Sequence, residues 1–117
     1  MTMHVLVVDD DPAIREILAI ALEDEGHEVS TAEHGAEALV RVDERTPDLV
    51  LLDLNMPVLN GWETHARLRA RSPRIPVVFM TAGNVARKEA ETHQADGFLP
   101  KPFDINLLFT LIDSFAP

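Results

Sequence analysis

Three aspartates, a threonine and a lysine stand in this sequence directly after short apolar runs. Asp9 and Asp10 follow Val5-Leu6-Val7-Val8, and Asp53 follows Leu49-Val50-Leu51-Leu52. Thr81 follows Val77-Val78-Phe79-Met80, and Lys101 comes after Gly97-Phe98-Leu99-Pro100. Carboxylates converging in a partly desolvated cleft need a cation. With carboxylate and carbonyl oxygens as the nearby donors, a hard divalent ion such as Mg²⁺ suits them, because it keeps waters and a phosphate oxygen among its ligands. A carboxylate is also a nucleophile toward phosphorus, in which case the other groups mainly position the reactants and neutralise the transferred oxygens. Asp53, standing singly, is the candidate nucleophile; the Asp9-Asp10 pair suits a metal; Lys101 and the Thr81 hydroxyl can grip phosphoryl oxygens.

For these groups to meet, the runs that precede them must be neighbouring parallel strands. Val5 to Val8 and Leu49 to Leu52 are continuously apolar, as strands covered on both faces are. Pro12 opens a first helix carrying Ile14, Ile17, Leu18, Ala21 and Leu22 at helical spacing up to Gly26. A short strand from Val29 to Ala32 and a helix from Gly35 to Arg45, with Ala38, Leu39 and Val42 inward, come next. After Met56-Pro57 and the Asn60-Gly61 turn, a third helix carries Trp62, Ala66 and Leu68 to Ser72. Residues 84 to 95 are polar and only weakly amphipathic, the weakest of five expected helices, and the last helix carries Leu107, Leu108, Leu111 and Ile112. The proline-bounded fifth strand belongs at the sheet margin. Alternation of strands and helices predicts an α/β fold, a doubly wound five-stranded parallel sheet of flavodoxin-like order 2-1-3-4-5, which binds ligands beyond the carboxyl ends of its strands.

The chain of 117 residues suits one domain, residues 1 to 117, without repeat or linker. Absence of cysteine excludes disulfides and thiolate chemistry. No apolar run is long enough to span a bilayer and the start shows no signal segment, so a soluble, cytoplasmic protein without membrane insertion is expected. A formal charge of -10 disfavours direct nucleic-acid binding. Many carboxylates have plain duties: Glu23, Asp24, Glu25, Asp43 and Glu44 read as a solvated surface, and Asp11 and Asp104 as helix caps. His4, His27, His34, His65 and His93 show no transition-metal spacing and read as surface residues. Trp62 reads as core or partly buried packing, and Gly35 and Gly61 as turn or helix-start residues.

Taken in order, VVDDDP at 7 to 12, LLDLNMPVLNG at 51 to 61, Thr81-Ala82 and Lys101-Pro102-Phe103 resemble the signature of response-regulator receiver domains, over essentially the whole chain. The resemblance implies a phosphoacceptor at Asp53. It implies Mg²⁺ held by Asp10, Asp53 and the backbone carbonyl of Asn55, with Asp9 helping through water. Lys101 would pair with the phosphoryl group, Thr81 would be a switch hydroxyl, Phe98 the aromatic whose rotamer follows it, and Lys101-Pro102 a cis peptide. Phe98 stands where tyrosine is frequent in the family, and the Thr81 to Lys101 stretch is slightly short. Asn55 and Gly83 would flank the path of attacking water. The implied function is two-component signalling: a sensor histidine kinase or histidine phosphotransfer protein donates to Asp53. The new charge then switches a protein-binding surface on the fourth helix, fifth strand and fifth helix toward a downstream protein target. Enzymatic turnover is not expected beyond self-phosphorylation from small donors and autodephosphorylation. The chain would act as a single-domain regulator or relay intermediate, unless a larger parent was trimmed.

Three other readings stay in view. A phosphatase resembling haloacid-dehalogenase hydrolases also uses an aspartyl phosphate and Mg²⁺, but its D-x-D motif is broken here by Asn55 after Leu54. A flavodoxin-like FMN module would have to seat its phosphate among carboxylates. A receiver fold that has stopped using phosphate would not need to keep every site residue. The sequence has neither G-x-G-x-x-G nor G-x-S-x-G, which counts against dinucleotide binding and hydrolase nucleophile elbows.

Overall fold

A computed structural model describes residues 2–54, 61–81, 96–102 and 104–116. In chain order its elements are β1 (His4–Val8), α1 (Pro12–Asp24), β2 (Glu28–Ala32), α2 (Gly35–Glu44), β3 (Leu49–Asp53), α3 (Gly61–Arg71), β4 (Val77–Thr81), β5 (Gly97–Pro100) and α4 (Ile105–Ser114). The helix expected over 84 to 95 lies outside the described residues, so α4 is the helix expected as the fifth.

All five strands are parallel, in the order β2-β1-β3-β4-β5. This is the expected flavodoxin-like order, with the proline-bounded strand at one edge. The apolar runs are continuous because successive side chains feed two different cores. Leu6, Val8, Val50, Leu52, Val77 and Phe79 pack with Ala38, Leu39 and Val42 of α2 and Leu68 of α3. The alternate set, Val5, Val7, Leu49, Leu51, Val78, Met80 and Leu99, packs with Leu18 and Leu22 of α1 and Leu108 and Ile112 of α4.

Helix ends follow local chemistry. The Asp11 carboxylate accepts a 2.9 Å hydrogen bond from the Ala13 amide with Pro12 in the first turn, and Asp104 accepts from the Asn106 amide at 2.8 Å. Each cap contributes about 1 kcal/mol. Gly26, at φ 89°, takes the chain out of α1 in a conformation that side-chain-bearing residues rarely adopt.

Several local expectations need correction. His4 and His65 are buried, not surface residues: His4 opens β1 and its Nε2 lies 2.7 Å from Ser30 Oγ, while the His65 ring meets Phe79 edge-on at 5.0 Å. His34 is the N-cap of α2, its Nδ1 accepting from the Glu37 amide. The inward face of α3 is Gly61, Thr64, His65 and Leu68, whereas Ala66 is exposed. On α1, Ile17 is exposed despite its helical spacing with Ile14 and Ala21. Trp62 is half-buried and lies 4.8 Å from the Phe79 ring. His93 lies outside the described residues.

Candidate functional site

Strand pairing brings the site together. Val8 of β1 is in register with Leu52 of β3, so the next residues along, Asp9 and Asp53, leave the sheet side by side. Alternation then fixes their direction. Asp9 extends the Val5-Val7 set, Asp53 the Leu49-Leu51 set and Lys101 the set that includes Leu99, all three on the face covered by α1 and α4. Lys101 is placed by its own amide, which donates to the Thr81 carbonyl at 3.0 Å, and its bond to Pro102 is cis.

The expected residues meet. Lys101 Nζ donates to Asp9 Oδ2 at 2.9 Å and lies 3.5 Å from Asp53 Oδ1. Asp9 and Asp53 are buried, Asp10 is exposed at the cleft mouth, and one carboxylate oxygen from each of the three lies within 4.8 Å of the others. Burial works against the Lys101 charge, but the Asp9 hydrogen bond and the Asp53 charge outweigh it and hold the ammonium above the ordinary lysine pKa.

The donor set fits a hard divalent cation. Among the described residues it consists of carboxylates, and three of them beside the Lys101 ammonium leave negative charge to neutralise. The three are not equivalent. Asp9 Oδ1 accepts from the Asp11 amide at 2.9 Å and Oδ2 from Lys101, so both its oxygens are already engaged. Asp10 and Asp53 are the two carboxylates expected as direct metal ligands, and both belong to this cluster. Asn55, whose carbonyl is the third expected ligand, lies outside the described residues, as do Gly83 and Phe103.

Thr81 is buried at the end of β4, where its position continues the Val77-Phe79 set. Phe98 is half-buried against that same core and in register with Phe79. The two expected switch residues therefore belong to one face of the sheet, opposite the face of Asp9, Asp53 and Lys101.

Sequence reasoning missed Arg15 and Asp96. The Arg15 guanidinium donates to the Asp9 carbonyl at 2.7 Å. The Asp96 carboxylate accepts from the Val77 amide at 2.8 Å and pairs with Arg69, tying the start of β5 to β4 and α3. Arg15 could have been noticed as a cation within one helical turn of the acidic run; Asp96 offers no comparable signal.

The family model "response regulator receiver domain" matches residues 5–113. Among curated proteins, the chain is 39% identical over 112 residues to the transcriptional regulatory protein GlrR of Escherichia coli (strain K12), covering 94% of this chain and 25% of that one. It is 40% identical over 110 residues to the response regulator MprA of Mycobacterium sp. (strain KMS), covering 92% and 48%. The chain thus spans between a quarter and about half of these relatives. Among solved structures, chemotaxis protein CheY4 of Vibrio cholerae superposes with a TM-score of 0.91 at 32% identity, over 99% of this chain and 100% of that one. NtrX from Brucella abortus gives 0.92 at 34% identity, over 98% and 27%.

Proposed function

The chain belongs to the response regulator receiver domain family, and from that premise we propose that Asp53 accepts a phosphoryl group from a histidine kinase or histidine phosphotransfer protein. Receiver domains of response regulators partner with histidine kinases, which makes a phosphohistidine the natural donor. The observation that carries the reading is Lys101 Nζ, 2.9 Å from Asp9 and 3.5 Å from Asp53 at the carboxyl end of a parallel sheet. A buried carboxylate beside a fixed cation suits nucleophilic attack on phosphorus, the cation neutralising charge on the transferred oxygens.

An Asp53 carboxylate oxygen forms the new bond to phosphorus while the bond from phosphorus to the donor nitrogen breaks, and the electron pair leaves with the donor imidazole. Lys101 keeps its proton throughout and turns its ammonium toward the transferred oxygens. Asp9 acts as the anchor of Lys101, supporting the cation through water. Asp10 and Asp53, with the Asn55 carbonyl, would hold Mg²⁺. Bound there, the ion supplies charge neutralisation for the carboxylates and the phosphoryl oxygens.

The Thr81 hydroxyl and the Phe98 ring form the switch, answering the new charge on Asp53 with a change in the protein-binding surface of β5, α4 and the expected fourth helix. The output of this domain is a contact with a downstream protein; with a formal charge of -10 it has no footing on a phosphate backbone. We place the chain among signalling domains, residues 1 to 117 forming a receiver domain in the cytoplasm whose chemistry is phosphotransfer to Asp53, self-phosphorylation from small donors and autodephosphorylation. Among the described residues no helix is long and apolar enough to cross a membrane. The named relatives are regulators, and nothing in them favours the phosphatase reading.

Intact-mass spectrometry after incubation with acetyl phosphate tests this, with and without Mg²⁺, on wild type and Asp53→Asn. A Mg²⁺-dependent, hydroxylamine-labile phosphoryl adduct on wild type alone is expected. A folded, Mg²⁺-binding wild type that gains no adduct, from acetyl phosphate or from a phosphorylated histidine phosphotransfer domain, would overturn it.

A further inference from the structure

Arg15 lies in the second turn of α1, its side chain mostly shielded from solvent, and it holds the Asp9 carbonyl by the 2.7 Å hydrogen bond from Nη1. That carbonyl belongs to the first peptide to leave the sheet. The Asp9 amide makes a 3.1 Å bond to the Ala32 carbonyl, and beyond it the chain turns toward the Asp11 cap. The peptide that Arg15 grips is the one joining Asp9 to Asp10, so its plane sets the direction in which the Asp10 carboxylate leaves the backbone. The grip is charge-assisted and short, as such bonds are when partly shielded from water. The other end of the guanidinium, Nη2, lies 3.7 Å from Glu33 Oε1, a contact with an exposed carboxylate that contributes little.

We propose that Arg15 is a positioning residue for the cation end of the site, setting divalent-metal affinity through the Asp9-Asp10 peptide and leaving the phosphoryl-transfer step itself to Asp53 and Lys101. The inference rests on the reading of Asp10 and Asp53 as metal ligands. Residues that orient metal ligands from behind typically change affinity by about 10-fold or more when removed. Arginine suits the task because its planar, permanently charged fork directs an N–H at the Asp9 carbonyl, whereas a lysine offers a compact point charge.

The test is Mg²⁺ titration by calorimetry on wild type, Arg15→Ala, Arg15→Lys and Glu33→Gln. Each is also labelled with acetyl phosphate across a Mg²⁺ series, and its folding is checked by urea unfolding. Arg15→Ala is expected to raise the Mg²⁺ dissociation constant about tenfold, with the labelling rate at saturating Mg²⁺ within about twofold of wild type. Arg15→Lys should recover part of the affinity, and Glu33→Gln should match wild type. Should Arg15→Ala not fold, the comparison is made on Arg15→Lys, where a shift of about threefold is expected. A folded variant with a wild-type dissociation constant, or with a reduced saturating rate at unchanged affinity, overturns the role of Arg15. Failure of the wild type to bind Mg²⁺ overturns the cation-site reading itself, an outcome distinct from the first two.

Discussion

Asp9 and Lys101, 92 residues apart in sequence, are joined by a 2.9 Å ion pair whose acidic member is fully buried. A buried carboxylate that loses its cation leaves an uncompensated charge. Lys101→Met is therefore expected to destabilise the protein by about 3 kcal/mol, the lower end of the range for buried pairs because Lys101 still touches solvent. It should also slow labelling of Asp53 by about a hundredfold or more, as removal of a preorganised charge from a transition state does. Urea unfolding and acetyl phosphate kinetics read the two effects separately.

Crowding of carboxylates gives the opposite sign at Asp53. Removing one negative charge from the cluster with Asp53→Asn is expected to stabilise the metal-free protein by about 1 kcal/mol. Mg²⁺ at a hundred times its dissociation constant should stabilise wild type by about 2.7 kcal/mol and the variant much less. Thermal unfolding with and without Mg²⁺ checks both, and equal stabilisation of the two proteins would remove Asp53 from the metal site.

Gly61 opens α3 against the end of β3. A Cβ there would lie 2.6 Å from Leu54 Cα and 2.7 Å from the Asp53 carbonyl, both backbone atoms that cannot swing aside. Gly61→Ala is expected to cost about 1–3 kcal/mol, as overpacking does, and to slow labelling about tenfold or more by displacing Asp53. The pair of measurements is again urea unfolding and labelling rate; a full rate with reduced stability would show that the strain relaxes away from Asp53.

At the opposite end of the sheet, burial holds the His4 imidazole below its ordinary pKa of about 6.5. Arg45 adds to the lowering, while Glu28 and Asp48 oppose it. Because the folded value lies below the unfolded one, acidification protonates the unfolded chain first. The His4 contribution is intact above about pH 6.5, is lost as the pH falls through the window beneath it, and stops changing below the folded pKa. Urea unfolding from neutral to mildly acid pH should therefore show a steeper loss for wild type than for His4→Gln, and parallel curves would contradict the assignment.

The two edges of legibility in this sequence have physical causes. The strands before Asp9, Asp53, Thr81 and Lys101 could be read because a doubly covered strand is apolar along its length, and a polar or charged residue marks where the apolar run stops. Caps at Asp11 and Asp104 could be read because capping is local. His65 is buried because positions 61, 64, 65 and 68 share one helical face, a placement that the polarity of its side chain conceals. His4 gave less warning, since its burial depends on Ser30 across the β1–β2 pairing and on the Asp48 carboxylate that accepts its amide. The grip of Arg15 on a backbone carbonyl and the tie between Asp96 and Arg69 depend on tertiary placement, which side-chain periodicity does not encode.

The common parity of Asp9, Asp53 and Lys101 along their strands also constrains how the gene for such a chain can change. A single-residue insertion within β1 or β3, or between Leu99 and Lys101, would keep every functional residue and still rotate one of them to the α2–α3 side, away from its partners. Length changes inside the strands are compatible with the site only in steps of two. Single-residue gains and losses must fall in the connections, so the lineage of this site should preserve the count of residues before each charged group as strictly as the groups themselves.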